Sequence, residues 1–177
     1  MIVEPRDAAT IILVRNRMDS KSEGIEVLMV LRNSKSDFVP GSHVFPGGGL
    51  ENEDCSPEME SLCSGMDRQG AAHILGDLSA VERALGMWVA GIRETFEEVG
   101  LMMASRNDGS IVSITTDEEV QRFREYRRAL REGAFTFYDL LMEENLTLPV
   151  RRLHYFSRWI TPELSPIRYD TRFFIAE

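Results

Sequence analysis

The segment Arg93-Glu94-Thr95-Phe96-Glu97-Glu98-Val99-Gly100-Leu101 packs three carboxylates into five positions. On a helix each residue turns about 100°, so Glu94, Glu97 and Glu98, at i, i+3 and i+4, share one face. Ile92, Phe96 and Val99 then point elsewhere, toward a core. Three like charges on one face repel, and a helix gains from them only where something cationic sits. Hard divalent ions take oxygen ligands, and magnesium adds substrate phosphate oxygens to one or two carboxylates. Arg93 adds a planar fork that pairs bidentately with a carboxylate and locks its rotamer. By itself such a glutamate cluster is also what a solvated acidic helix face carries. A second segment, Phe45-Pro46-Gly47-Gly48-Gly49-Leu50-Glu51, has three consecutive glycines. Their cost in backbone entropy makes sense where the chain must approach a helix, ion or ligand closely. Alone, the segment reads as a tight loop.

The elements that must position these residues are legible in outline. Ser79 and Glu82 form an S-x-x-E capping box ahead of apolar residues at Val81, Leu85, Trp88, Val89, Ile92, Phe96 and Val99. That spacing predicts one helix from about residue 80 to 99, stopped by Gly100. Residues 9–15 and 25–32 are β-branched and apolar and read as strands; the Gly- and Pro-rich stretch 34–49 reads as a shaped loop. Residues 51–78 are polar and small and read as an excursion with a short helix near Ser56–Leu62. A short strand is expected at 100–104. Thr116 and Glu119 open a second capped helix that stops at Gly133, and Thr136 caps a short helix, Phe137–Glu144. Strands follow at 153–160 and 172–176. Strands and helices mix without a βαβ rhythm, which predicts an α/β (α+β mixed) fold with a mixed sheet.

Bulk properties narrow the function. The length of 177 residues suits a single domain over 1–177. The net charge of −9 argues against nucleic acid as the main partner, because phosphate backbones are bound by clustered Lys and Arg. No apolar run reaches the roughly 20 residues needed to span a bilayer, so no membrane partner is expected. The start lacks a basic n-region before its apolar run and does not read as a signal peptide. Cys55 and Cys63 are open to a disulfide or to half a zinc site with His73, but their spacing fits no zinc pattern, and a reducing, cytoplasmic setting is expected.

The two chemical segments resemble the two halves of the Nudix box, G-x5-E-x7-R-E-U-x-E-E-x-G-U. The second half matches at Arg93, Glu94, Glu97, Glu98, Gly100 and Leu101, with Thr95 at a normally apolar position. In the first half Gly48 is the glycine and Asp54 stands at the glutamate, its arm one methylene shorter. Residues 55–92 separate Asp54 from Arg93 where the box has seven residues, so an insertion at about 55–78 interrupts it. The interrupted box resembles the coenzyme A diphosphatase branch of the family. So do Leu31-Arg32-Asn33-Ser34 leading through Pro40-Gly41-Ser42-His43-Val44, and later Trp159-Ile160-Thr161-Pro162 and Arg168-Tyr169-Asp170-Thr171-Arg172.

The resemblance implies a Nudix-type α/β/α sandwich with a catalytic loop and helix, and a hydrolase that cuts the diphosphate linkage of a small-molecule nucleoside diphosphate derivative. Coenzyme A or acyl-coenzyme A is the favoured substrate; ADP-ribose, a nucleotide sugar and a non-catalytic nucleotide-sensing module are the alternatives. It implies Mg2+, with Mn2+ as a substitute, held by Glu94, Glu97, Glu98 and the Gly48 carbonyl. Arg93 would orient the glutamates, and one of them or a later carboxylate would activate water. Arg32, Lys35, Gly47 and Gly48 are the expected substrate contacts. Arg168 with Asp170 reads as a surface ion pair or a substrate-side pair, and His43 and His154 read as structural. Trp88 is expected in the core, with Tyr155 and Trp159 in packing or a base pocket. The sequence ends in Phe173-Phe174-Ile175-Ala176-Glu177, a strand pattern. The resemblance leads one to expect a further strand and helix of the fold, or a sheet completed by another chain as a homodimer, since an open edge favours self-association.

Overall fold

The computed structural model describes residues 3–17, 24–32, 41–77 and 80–177. The strand β1 (Arg6–Asn16) is the hub of the sheet. Along one edge it pairs antiparallel with β2 (Ile25–Val27) and, further back, with β5 (Gly47–Gly49). Along its other edge it runs parallel to β7 (Tyr169–Ala176), which pairs antiparallel with β6 (His154–Ile160). Among the described residues this is a five-stranded mixed sheet of order β2-β1-β7-β6, with β5 on β1. β3 (Val30–Leu31) and β4 (His43–Val44) form a separate antiparallel pair. The mixed α/β architecture expected from the sequence is present.

β7 alternates half-buried and buried residues along its length, the period-2 signature of a strand with one face on a core. Its buried Phe174 meets Trp88 of α4 (Gly86–Val99), ring centroids 4.6 Å apart. The Trp88 indole N–H donates to the Leu153 carbonyl at 3.1 Å, which satisfies its polar atom inside the core. Gly91 lets α4 close on β1: a Cβ there would lie 3.1 Å from Ile11. Burial of each such large apolar side chain contributes about 1.5–3 kcal/mol, so α4, and with it the glutamates, is fixed to the sheet from below.

Several expectations change. The helix expected over 80–99 is two pieces, α3 (Val81–Ala84) and α4, meeting at Leu85. At the junction the loop after β5 crosses so closely that a Cβ on Gly86 would lie 2.5 Å from the Cys55 sulfur. Ser79 of the expected capping box lies outside the described residues, and Ala80 flanks α3 without a side-chain cap. The strand expected over 25–32 breaks at Leu28–Met29 into β2 and β3, which belong to different sheets. The three glycines form β5 rather than a loop: Gly47 pairs with Thr10, Gly48 with Ala9 and Gly49 with Ala8. Residues 100–104 form no strand. Gly100 turns into the left-handed region at φ 77°, and the segment beyond it is tied by an isolated bridge from Ser105 to Thr147.

The excursion is structured. A short 3-10 turn (Glu53–Cys55) leads to α1 (Pro57–Ser61), close to the helix expected there, and then to α2 (Arg68–Leu75), which sequence periodicity did not single out. Met59, Ala71 and Ala72 are fully buried and join the common core, so the insertion is not merely a surface loop. α5 (Asp117–Arg131) starts at the Thr116–Glu119 capping box as expected, and α6 (Phe137–Glu143) is capped by Thr136. Phe123 of α5 meets Phe96 of α4 edge-on, centroids 6.1 Å apart. Cys55 and Cys63 are free thiols, and burial pushes the Cys63 thiol up to about 12.

Candidate functional site

The two halves of the interrupted motif meet in space through one guanidinium. The Arg93 Nε donates to Asp54 Oδ1 and its Nη2 to Asp54 Oδ2, each at 3.0 Å. Nη2 also donates to the Gly49 carbonyl at 2.8 Å. Nη1 turns the other way and donates to Glu94 Oε1 and Glu97 Oε1, each at 3.1 Å. Arg93 therefore ties the β5 loop to α4 and holds two of the three glutamate side chains. The shorter arm of Asp54 reaches because the 3-10 turn carries it inward: its side chain is 1% exposed and also accepts the Glu51 N–H at 2.8 Å. Burial pushes the Asp54 carboxyl up, against the pull of Arg93. Burial opposes the Arg93 charge too, but Asp54 outweighs it and holds the guanidinium protonated.

Gly48 and Gly47 show why β5 is built from glycine. A Cβ at Gly48 would lie 2.4 Å from the Glu94 carboxylate, so a side chain there would push that carboxylate from its place. Gly47 is the more tightly constrained, with a Cβ 2.3 Å from the Ala9 backbone carbonyl, and its N–H donates to Glu98 Oε2 at 3.1 Å. The structure thus brings Gly47 to a glutamate. Thr95, at the normally apolar position, is buried with its hydroxyl donating to the Gly91 carbonyl at 2.8 Å. The three glutamates are half-buried, as a face turned to a cleft should be. Burial lifts the Glu94 carboxyl to about 7, reinforced by the charges of Glu97 and Glu98 against the pull of Arg93. Burial also raises Glu98, against the Gly47 N–H and Arg32.

Glu94, Glu97 and Glu98 line one cleft of about 340 Å³ together with Val30, Leu31, Val44, Arg32 and Arg131. Arg32 thus lies on the same cleft as the carboxylates. Lys35 lies outside the described residues, as do Asn33, Ser34 and Pro40 of the resemblance. Arg131, from the end of α5, was not singled out from the sequence. Nor was Arg127, one helical turn earlier, which donates from Nε to the Glu97 carbonyl at 2.7 Å and from Nη2 to the Glu98 carbonyl. Their signal was available: Arg124, Arg127 and Arg131 are spaced i, i+3, i+7, one face of a helix.

The donor set suits a hard divalent cation: all oxygen, three carboxylates on one cleft, and a bare glycine backbone against one of them. Among the described residues no three His, Cys, Asp or Glu side chains converge on a common point. Glu94 and Glu97 turn to Arg93, and Glu98 to the Gly47 N–H. The carboxylates form an open wall along the cleft rather than a closed cage. A larger groove of about 730 Å³ lies at the other side of the α4 C-terminus, against Phe96, Met102 and Phe123, and holds none of these glutamates.

Other expectations resolve away from the cleft. Asp170 pairs with Arg158 at 2.6 Å and with Arg172, not with Arg168, whose guanidinium donates to the Val3 and Thr161 carbonyls. His43 and His154 are exposed on strands. Trp88 is core, Tyr155 packs on Phe174, and Trp159 is 69% exposed and lines none of these cavities. No helix among the described residues is long and apolar enough to cross a membrane.

A family model described as the NUDT19 Nudix domain matches residues 5–84 and 72–176. The chain is 28% identical to an acyl-coenzyme A diphosphatase NUDT19 from Xenopus laevis, across 91% of the chain and 49% of the relative. It is 26% identical to the Gallus gallus protein of that name, across 97% of the chain and 54% of the relative. The Homo sapiens protein is also 26% identical, across 88% and 48%. The chain thus spans about half the length of the curated relatives it matches. Among solved structures, a Nudix hydrolase from Alicyclobacillus acidocaldarius superposes with a TM-score of 0.68 at 26% identity, across 99% of this chain and 71% of that one.

Proposed function

The chain belongs to the NUDT19 Nudix domain family, and from that premise we propose that it hydrolyses the diphosphate linkage of coenzyme A or an acyl-coenzyme A, with Mg2+ as cofactor and Mn2+ as a substitute. The observation that carries the reading is the Arg93 fork, which reassembles the interrupted box: Asp54 and Gly49 on one side, Glu94 and Glu97 on the other. The names of the vertebrate relatives support the substrate class.

In this reading residues 1–177 act as one hydrolase domain, with the insertion packed into its core. Glu94, Glu97 and Glu98 hold the cation, and the Gly48 carbonyl adds a ligand. A bound divalent cation lowers the pKa of water and offsets charge growing on the phosphoryl oxygens. Arg93 keeps the carboxylates oriented, and Arg32 and Arg131 draw the anionic diphosphate into the cleft. One of the three glutamates, or a carboxylate from a later loop, accepts a proton from the attacking water. Water enters and one P–O bond breaks, so coenzyme A yields 3′,5′-ADP and 4′-phosphopantetheine. The free thiols support a reducing compartment such as the cytoplasm. The exposed edge strand β6 supports a homodimer, which sedimentation velocity tests.

The test is a chromatographic screen with Mg2+ over coenzyme A, acetyl-coenzyme A, ADP-ribose, NADH and nucleotide sugars. Release of 3′,5′-ADP from coenzyme A is the expected result. Cleavage of ADP-ribose or a nucleotide sugar alone keeps the chemistry and overturns the substrate. The second reading is a non-catalytic nucleotide-sensing module, which expects lost metal ligands, whereas Arg93 and all three glutamates are present. A folded protein that binds nucleotide and cuts nothing in the screen would establish that one.

A further inference from the structure

A helix leaves its last carbonyls without intrahelical donors, and its dipole places about half a negative charge there. For α4 this end coincides with Glu94, Glu97 and Glu98, and its last turn contains no basic residue. Negative charge is stacked on the negative end of a helix, an arrangement that favours fraying of the turn that carries the glutamates. The Gly100 N–H covers the Phe96 carbonyl at 2.8 Å. The next two carbonyls, of Glu97 and Glu98, are covered from another helix: Arg127 of α5 gives its Nε to one, at 2.7 Å, and its Nη2 to the other.

We propose that Arg127 is a positioning residue for the carboxylate site, fixing from the backbone side the turn whose side chains Arg93 fixes from the front. The inference rests on the functional reading above. A fork suits the task because two adjacent carbonyls need two donors in one plane. The guanidinium also offsets the helix-end charge by way of the two backbone carbonyls, without itself occupying a carboxylate oxygen. Its reach is set independently of the site: Phe123, one turn earlier on α5, is buried edge-on against Phe96 of α4. α5 is thereby held at the height where Arg127 meets the end of α4.

The measurement is Mn2+ binding to the whole chain, followed by the loss of the free-ion EPR signal, together with hydrolysis over a range of Mn2+ concentrations. Arg127→Met is expected to weaken Mn2+ binding roughly tenfold, as loss of a supporting contact to a metal ligand typically does. Its kcat should fall at low Mn2+ and recover at high Mn2+, with the KM for the diphosphate substrate unchanged. Arg127→Lys keeps the charge but not the fork and should fall between. Arg128→Gln, an exposed arginine on the same helix, should behave as wild type. If Arg127→Met does not fold, wild-type Mn2+ affinity in Arg127→Lys overturns the proposal. So does a folded Arg127→Met with wild-type affinity, even at a lower Tm, or an equal loss in Arg128→Gln. A wild-type chain that binds no Mn2+ overturns the functional reading and this inference with it, so the two failures are distinguishable.

Discussion

Replacing Asp54 by Asn should test the joint on which the site is built. The Asp54 side chain is 1% exposed and that of Arg93 6%, and two bonds of 3.0 Å join them. Removing one partner of such a buried pair typically costs about 3–5 kcal/mol, because the surviving charge is left without its counterion. The amide retains one acceptor, but its NH2 faces either the guanidinium or the Glu51 N–H, donor against donor. Arg93 keeps the Gly49 carbonyl, Glu94 and Glu97, so the loss should fall toward the low end, about 3 kcal/mol. For a chain of this size that is roughly 6–12 °C in Tm, measurable by circular dichroism. The loss should shrink in an Arg93→Met background, where no charge remains to be stranded, and a double-mutant cycle reads the coupling directly. Asp54→Glu restores the residue usual in the Nudix box, yet adds a methylene to a filled site and should cost about 1–3 kcal/mol. An Asp54→Asn variant within about 1 kcal/mol of wild type, or equally destabilised in both backgrounds, would refute the argument that this pair holds the loop to α4.

Three further outcomes are expected. Glu97→Gln and Glu98→Gln should each lose at least roughly a hundredfold in kcat while remaining folded, since both residues face the cleft; a variant that unfolds instead, by circular dichroism, contradicts the placement. In EDTA, the Glu94 carboxyl at about 7 against an ordinary 4.5 makes the folded chain hold its proton longer than the unfolded one. Its contribution is then fully present below pH 4.5 and lost as pH rises through 7, to about 3 kcal/mol. Urea titrations of wild type and Glu94→Gln across pH 4–8 should diverge by that amount, and parallel curves would show that burial does not act as described. Arg131→Gln should raise the KM for the diphosphate roughly five- to thirtyfold, for loss of about 1–2 kcal/mol of charge-assisted binding, with Mn2+ affinity unchanged; an unaltered KM removes Arg131 from the substrate side of the cleft.

The sequence by itself determined what depends on local spacing. Three glutamates at i, i+3 and i+4 share a face whatever surrounds them, and the Thr116–Glu119 cap opens α5 because both its bonds close within one turn. The glycines announced a close approach, since no other residue tolerates one, and Arg93 announced a fork. Tertiary structure alone decided what each of these meets. That Gly47–Gly49 is a strand on β1 follows from Ala8, Ala9 and Thr10 lying opposite, far away in the chain. The close crossing of Cys55 against Gly86, beside the Leu85 junction, is recorded by no periodicity within the helix. Asp54 reaches Arg93 because the insertion between them folds as helices that bury Met59, Ala71 and Ala72 and return the chain to its start. Arg127 and Arg131 carried a visible helical spacing, but their meaning depends on α5 crossing the end of α4, where Phe123 meets Phe96. Local patterns fix which side chains travel together. Which backbone carbonyl, strand edge or carboxylate they arrive at is set by packing between segments distant in the chain, and that is written in no single stretch of residues.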